Sequence, residues 1–276
     1  MTSVHQDQVA VVTGGAHGIG RATCELLAAA GAHVVVVDVD GGAAEKLAAE
    51  LPTESVAVVG DVADEATVDA YMSAAVARFG RVDLHHLNAG IGSSLAPFPD
   101  LDVADFDRTM AVNVRGMFLG LRAAFRDYRR REATGAVVLT ASIASLRGSA
   151  DLIAYQTSKH AVLGLLHGAA VYGGPLGIRV NAVAPGIVPT ELFAANADKP
   201  GGRDDMRQRA STSPLRRAGT PQEIASVATF LLGPGAGYVT GSCVSADGGS
   251  AVLSSVRPSG GAGAWDHEAV DRQMYG

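Results

Sequence analysis

Cysteine, aromatic residues and long apolar runs are all scarce in this chain, which has two Cys, one Trp and 5% Phe, Tyr and Trp together in 276 residues. Cys24 and Cys243 lie far apart and in no ligand-like spacing. That pattern argues against a disulfide framework or a zinc cluster and fits a reducing compartment. With few aromatics, the core must be built from Ala, Val, Leu and Ile. The 47% hydrophobic content is enough for a large one. No apolar run reaches the ~18 residues that a membrane helix needs, and residues 1–8 lack the charge-then-apolar pattern of a secretion signal. A soluble, cytoplasmic protein with no membrane partner is the expectation. Positive charge is also short: 22 Lys and Arg against 28 Asp and Glu give a net charge of -6. That balance supplies no basic face for a nucleic-acid partner. The one basic cluster, Arg129-Arg130-Arg131, reads as the solvated end of a helix, where cations favour the helix dipole.

What is present is alternation. Short β-branched runs at 9–12, 33–37, 56–59, 82–87, 136–139, 178–184 and 242–246 read as strands. Between them, helical spacing predicts helices at 18–30, 41–51, 65–79, 103–132, 154–172 and 221–232, the last with Pro221 in its first turn. Apolar strands separated by helices predict an α/β fold, a doubly wound parallel sheet of Rossmann type with helices on both faces. No linker interrupts residues 1–251, so one domain is expected there. The polar segment 187–214 is expected to be a surface loop, and the Gly- and Ser-rich stretch 252–276 an extension beyond the sheet.

The turn Thr13-Gly14-Gly15-Ala16-His17-Gly18-Ile19-Gly20 joins the first strand to the first helix. Glycines let backbone approach a pyrophosphate, and the helix N-terminus then faces its charge. The spacing is Gly-x3-Gly-x-Gly, distinct from GxGxxG. Asp38 ends the second strand, 18 residues after Gly20. A carboxylate there accepts hydrogen bonds from ribose hydroxyls and repels a 2′-phosphate. Asp40 adds negative charge, and no Lys or Arg lies at Ala16-His17 or directly after Asp38, so NAD is favoured over NADP. His17 sits in the loop without the company a metal site would require.

Tyr155 and Lys159 stand four apart, on one helix face. At an effective dielectric of ~20, an ammonium at ~4 Å is worth about 4 kcal/mol to a phenolate. The spacing therefore predicts a tyrosine titrating below its usual value, able to exchange protons near neutrality. YxxxK alone occurs often by chance. Ser142 sharpens the reading, because it follows the fifth strand and so lies at a strand C-terminal end, where open α/β sheets bind ligands.

Together these motifs resemble the short-chain dehydrogenase/reductase family in its single-domain form, over residues 7–250. Thr13-Gly14-x3-Gly18-x-Gly20 looks like the family's cofactor loop, with His17 and Ile19 inside it. Asp61-Val62 resembles the pair that contacts adenine, and Asn88-Ala89-Gly90 the motif after the fourth strand. Asn113 fits the proton-relay asparagine, which in this resemblance holds a water linking Lys159 to solvent. Ser142, Tyr155 and Lys159 fit the active-site trio. Asn181 and Pro185-Gly186 match the motif after the sixth strand, Val188 follows it, and Thr190 sits where relatives bind the carboxamide. The resemblance implies NAD as cofactor, Tyr155 and Lys159 contacting it as well as acting in catalysis, no metal, and a homotetramer built on helices near 105–130 and 155–172.

Two departures stand out. Leu87, preceded by His85-His86, replaces a usual Asn, and at least one of these histidines is expected to be a core or pocket-wall residue. Ala246 replaces a usual Val. Enoyl reductases of the family space Tyr and Lys more widely, so the spacing favours carbonyl chemistry. Leu192, Phe193, Ala194, Ala195 and Met206 make the 187–214 loop apolar, and Leu146 and Leu152 flank Tyr155. These features fit an apolar or cyclic secondary alcohol or ketone; the alternative for the loop residues is that they only pack onto the domain. Trp265 and Tyr275 in the tail either wall a neighbouring subunit's pocket or are solvated. The alternatives are an NADPH-dependent ketoreductase on a carrier-bound intermediate and a non-catalytic NAD-binding scaffold. The first calls for a basic docking patch, and the second for loss of Ser142, Tyr155 or Lys159. Neither feature is present.

Overall fold

A computed structural model describes residues 4–149, 152–191, 213–252 and 272. The described residues form a seven-stranded, wholly parallel sheet in the order β3-β2-β1-β4-β5-β6-β7. The strands are β1 (Val9–Thr13), β2 (His33–Asp38), β3 (Val56–Val59), β4 (Leu84–Leu87), β5 (Gly135–Thr140), β6 (Ile178–Pro185) and β7 (Cys243–Ala246). The helices are α1 (Gly18–Ala29), α2 (Gly41–Glu50), α3 (Glu65–Phe79), α4 (Val103–Met110), α5 (Gly116–Arg131), α6 (Ile153–Gly173) and α7 (Pro221–Leu232). Chain order reverses between β1 and β4, and such a switch point opens a crevice at the strands' C-terminal ends.

Strand pleating decides which residues meet which layer. In β1, Ala10 and Val12 face one layer with Cys24 and Leu27 of α1 and Ile224 and Leu231 of α7. Val9 and Val11 face the other, with Val68 and Tyr71 of α3 and Leu119 of α5. Burial on both sides explains why the strands are continuous apolar runs.

The stretch expected as one helix over 103–132 is broken. A π turn at Ala111–Arg115 separates α4 from α5, with the Gly116 N–H reaching the Ala111 carbonyl. A fourth strand beginning at residue 82 is also corrected, because it starts at Leu84. The Asp83 carboxylate accepts the Val9 N–H at 3.0 Å and pairs with Arg81, a local network at the strand's entry. The apolar loop residues Leu192, Phe193, Ala194, Ala195 and Met206, and the tail residues Trp265 and Tyr275, lie outside the described residues.

His85 and His86 are both fully buried in β4 and neither lines the cleft described below. His85 meets Tyr128 edge-on at 5.8 Å. Burial depresses both pKa values, His85 to about 4 and His86 to about 3, from the ordinary 6.5. Unfolded chains take up these protons near pH ~6.5 and the native state does not, so stability falls as pH drops from there toward about 4. The pair contributes a slope of up to roughly 3 kcal/mol per pH unit. Urea unfolding of His85→Leu across this range should show about half that histidine slope. An unchanged slope would place the titration elsewhere.

Candidate active site

A cleft of about 320 Å³ runs along the C-terminal ends of β2, β1, β4, β5 and β6. It is lined at one end by Asp38, Gly60, Asp61 and Val62, and at the other by Ser142, Tyr155 and Lys159. β3 and β5 are four strand spacings apart, or about 19 Å. That span suits an extended two-ring ligand.

The glycine turn occupies the middle. Gly14 has φ +61° and Gly18 φ +48°, which side-chain-bearing residues rarely adopt. A Cβ on Gly14 would lie 2.9 Å from Ala89 Cα, and one on Gly18 would lie 3.1 Å from Thr190 Cγ2. His17 is the N-cap of α1 but makes no side-chain capping bond among the described residues. The first N–H groups of α1 are thereby left facing the cleft, as an anion site requires. Gly20 does not line the cleft. It seats α1 against the Gly14 carbonyl instead.

Asn88 holds this turn in place. Its Nδ2 donates to the carbonyls of Thr13 and Gly14 at 3.1 and 3.2 Å, which fixes the amide's orientation. Its Oδ1 accepts from Thr140 Oγ1 at 3.0 Å. Thr140 has one hydroxyl proton, so His86 Nε2, 2.9 Å from the same oxygen, is the donor to it. A buried relay thus joins His86, Thr140 and Asn88 to the glycine turn.

At the β2 end, Asp38 accepts the Ala16 N–H at 3.0 Å and the Asp40 N–H at 3.1 Å. Each carboxylate oxygen keeps a further lone pair toward the cleft. Asp40 caps α2 through Ala43 N–H and lies 3.0 Å from His17 Nε2. Asp61 accepts from Ala63 N–H at 2.9 Å and from Arg108 Nη1 at 2.7 Å.

At the other end, Ser142 is held by a 3₁₀ turn at Ile143–Ser145 with a reciprocal cap. Ser145 Oγ donates to the Lys159 carbonyl at 2.7 Å, tying this turn to α6. Ser142 hydrogen-bonds to the Tyr155 side chain. Lys159 is 3% exposed and donates to the Thr140 carbonyl at 2.9 Å. Its Nζ lies 5.6 Å from the Tyr155 ring centroid, over the ring.

One expectation needs correction here. Lys159 does not pull Tyr155 down toward neutrality. Burial raises the tyrosine above its ordinary 10.0, opposed by the Ser142 hydrogen bond. Burial also lowers Lys159 to about 8. The lysine's charge is directed at the Thr140 carbonyl and the ring face, so desolvation dominates both groups.

Asn113 lies in the π turn, fully buried behind the cleft. Its Oδ1 accepts the Ile91 N–H, and its Nδ2 donates to the Ile91 carbonyl and to Ser158 Oγ. Among the expected cofactor contacts, Gly14, His17, Gly18, Ile19, Asp38, Asp61, Val62, Asn88, Ala89, Gly90, Tyr155, Lys159, Pro185, Gly186, Val188 and Thr190 line the one cleft. Asn181 does not; it ties β6 to the Val239 carbonyl at 2.8 Å. Leu146, expected beside Tyr155, is exposed. Sequence reasoning missed Val37, Val39, Gly60, Ile91, Arg108, Val112, Thr140, Ala141 and Glu191 as lining residues. Two of these carry charge with a cleft partner: Arg108 bonds Asp61, 47 positions away, and Glu191 lies 3.9 Å from His17 Nδ1; no local pattern marks either.

A glycine turn at a switch point, joined in one cleft to a Ser-Tyr-Lys trio, defines a nicotinamide-dependent oxidoreductase. A family model described as enoyl-(acyl carrier protein) reductase matches residues 14–251. Levodione reductase of Leifsonia aquatica is 40% identical, over 90% of this chain and 96% of its own length. Cis-4-hydroxycyclohexanecarboxylate dehydrogenase of Sinomonas cyclohexanicum is 38% identical, over 90% and 98%. A 3-ketoacyl-(acyl-carrier-protein) reductase from Brucella melitensis, solved with NADH, superposes with a TM-score of 0.83 at 31% identity, over 89% of this chain and 99% of its own. The chain belongs to the short-chain dehydrogenase/reductase family.

Proposed function

We propose that this protein is an NAD-dependent dehydrogenase/reductase that interconverts an apolar, cyclic secondary alcohol and its ketone. The observation that carries this reading is the placing of Ser142, Tyr155 and Lys159 in the cleft that also holds the glycine turn and Asp38. When bound, the nicotinamide supplies or accepts the hydride at the alcohol carbon. Tyr155 gives its proton to the carbonyl oxygen in reduction and takes the hydroxyl proton in oxidation. Ser142 holds that oxygen beside the phenol. Lys159, braced on Thr140, keeps the phenol's face and the sugar end of the cleft positively charged. Asn113 fixes Ile91 and, through Ser158, the start of α6.

Ring alcohols are supported by the cyclohexane alcohol named for one relative. The Tyr-x3-Lys spacing favours this reading over the C=C reduction in the family model's description. A single domain over 1–251, a substrate loop at 187–214 and a cytoplasmic homotetramer complete the proposal. Exposed Phe118, Val171 and Tyr172 on α5 and α6 offer an apolar face for that assembly.

The test is a spectrophotometric screen of cyclic and acyclic secondary alcohols with NAD and NADP. Turnover confined to carbon–carbon double bonds, or to carrier-bound substrates, would sink it. The cofactor preference has its own test. Asp38→Ala/Val39→Arg removes the carboxylate and places a guanidinium at an exposed lining position. The ratio of kcat/KM for NADP over NAD should rise at least about tenfold. An unchanged ratio would remove Asp38 from cofactor selection.

A further inference from the structure

The end of the cleft beyond Asp38 is built differently from the rest. Val62 and Val112 are buried and form an apolar floor. Val39 and Arg108 stand at its rim, 68% exposed in the case of Val39. Among the described lining residues Arg108 is the only arginine, and 53% of its side chain is exposed. Arg108 comes from α4, Asp61 from the segment after β3, and their 2.7 Å bond bridges these walls of the cleft.

An ion pair this exposed adds little to the stability of the fold. What it does is pin a planar cation. A guanidinium on a four-bond stem is otherwise free to swing away, and holding it in advance cuts the ordering cost of binding. The pair also cancels its own charge, so the rim does not suit a phosphate, which would meet the Asp61 carboxylate. Aliphatic side chains and a pinned, neutralised guanidinium gathered at one end of the cleft suit a flat, uncharged, π-rich ring, on which the guanidinium can stack as a plane.

We propose that Arg108, tethered by Asp61, is a clamp that closes over the adenine face of the bound dinucleotide and makes the site selective for an adenine-bearing cofactor. This rests on the nicotinamide-cofactor reading given above. It assigns Arg108 a role of its own, and it makes holding Arg108 part of the work of Asp61.

Calorimetric titration of the whole protein with ADP-ribose and NADH, and fluorescence titration with the reduced mononucleotide NMNH, test this without turnover. Arg108→Ala should weaken ADP-ribose and NADH by roughly five- to thirtyfold, with NMNH and the melting temperature unchanged. Arg108→Lys should recover only part of the loss, because an ammonium does not stack as a plane. Asp61→Asn should weaken ADP-ribose less than Arg108→Ala does. Unchanged ADP-ribose affinity in Arg108→Ala overturns the clamp. So does an equal loss for NMNH, which marks general damage. A loss confined to 2′-phosphorylated ADP-ribose also overturns it, since the guanidinium would then be reading phosphate. Failure of the unaltered protein to bind ADP-ribose or NADH overturns the dinucleotide reading itself, and the clamp with it.

Discussion

Tyr155→Phe lowers kcat for ketone reduction by roughly 10²- to 10⁴-fold and leaves NADH affinity within about twofold. The substitution removes one oxygen and little else. The ring, its contact with Lys159 Nζ at 5.6 Å and its place on α6 are all kept. What goes is the proton donor that Ser142 holds. The pH dependence separates the two reaction directions. Burial keeps Tyr155 above its ordinary 10.0, so the phenol is protonated throughout the neutral range and ready to donate. Ketone reduction therefore needs no prior ionisation. Alcohol oxidation needs the phenolate, so its rate should climb as pH rises through the alkaline range while the reductive rate does not. Steady-state rates in both directions, with an NADH fluorescence titration of the variant, check all of this. Near-full turnover in Tyr155→Phe would take the phenol out of the mechanism. A loss of NADH affinity as large as the loss of rate would make Tyr155 a binding residue instead.

The elements with strong local signals were legible from the sequence. The helix at Pro221–Leu232 has Thr220 and Glu223 as a reciprocal cap and Pro221 in its first turn, so its start carries chemistry of its own. The helix at Glu65–Phe79 stops at Gly80, whose φ of +78° suits a left-handed cap. The π turn at Ala111–Arg115 had no such mark within it, because the extra residue shifts the helical period with no Gly or Pro among residues 111–115, and Gly116 after it continues in helical conformation. In the site, spacing alone places Tyr155 and Lys159 on one helix face. It does not tell that the ammonium is taken by the Thr140 carbonyl, nor that burial outweighs its charge. Those depend on where β5 ends relative to α6, which is tertiary. The Arg108–Asp61 pair and the His86–Thr140–Asn88 relay join positions 47 to 54 residues apart, and no window along the chain contains them.

Gly20 shows how a cofactor motif can act through packing. Gly20→Ala should cost the protein most of its dinucleotide affinity and several degrees of melting temperature, although Ala is the better helix former by about 1 kcal/mol. The added Cβ would lie 1.8 Å from the Gly14 carbonyl oxygen, 2.7 Å from its carbon and 2.8 Å from Asn88 Nδ2. Two of those three atoms are backbone, so no rotamer change relieves the overlap. Either α1 retreats or the turn at Gly14 moves, and Gly14 is itself hemmed in by Ala89 Cα. Moving the turn breaks the Asn88 Nδ2 bond to the Gly14 carbonyl. Moving α1 withdraws the N–H groups that face the cleft. Overpacking of this kind costs about 1–3 kcal/mol or more, which outweighs the propensity gain. Gly42→Ala is the control. It is an exposed position on α2, where the nearest atom to an added Cβ is Asp40 Oδ1 at 3.8 Å. There the helix-forming advantage should emerge as a stabilisation of up to about 1 kcal/mol. Paired thermal melts and NADH titrations of the two variants decide the matter. If Gly20→Ala melts at or above the unaltered protein and binds NADH normally, the close seating of α1 on the glycine turn is not what shapes the site.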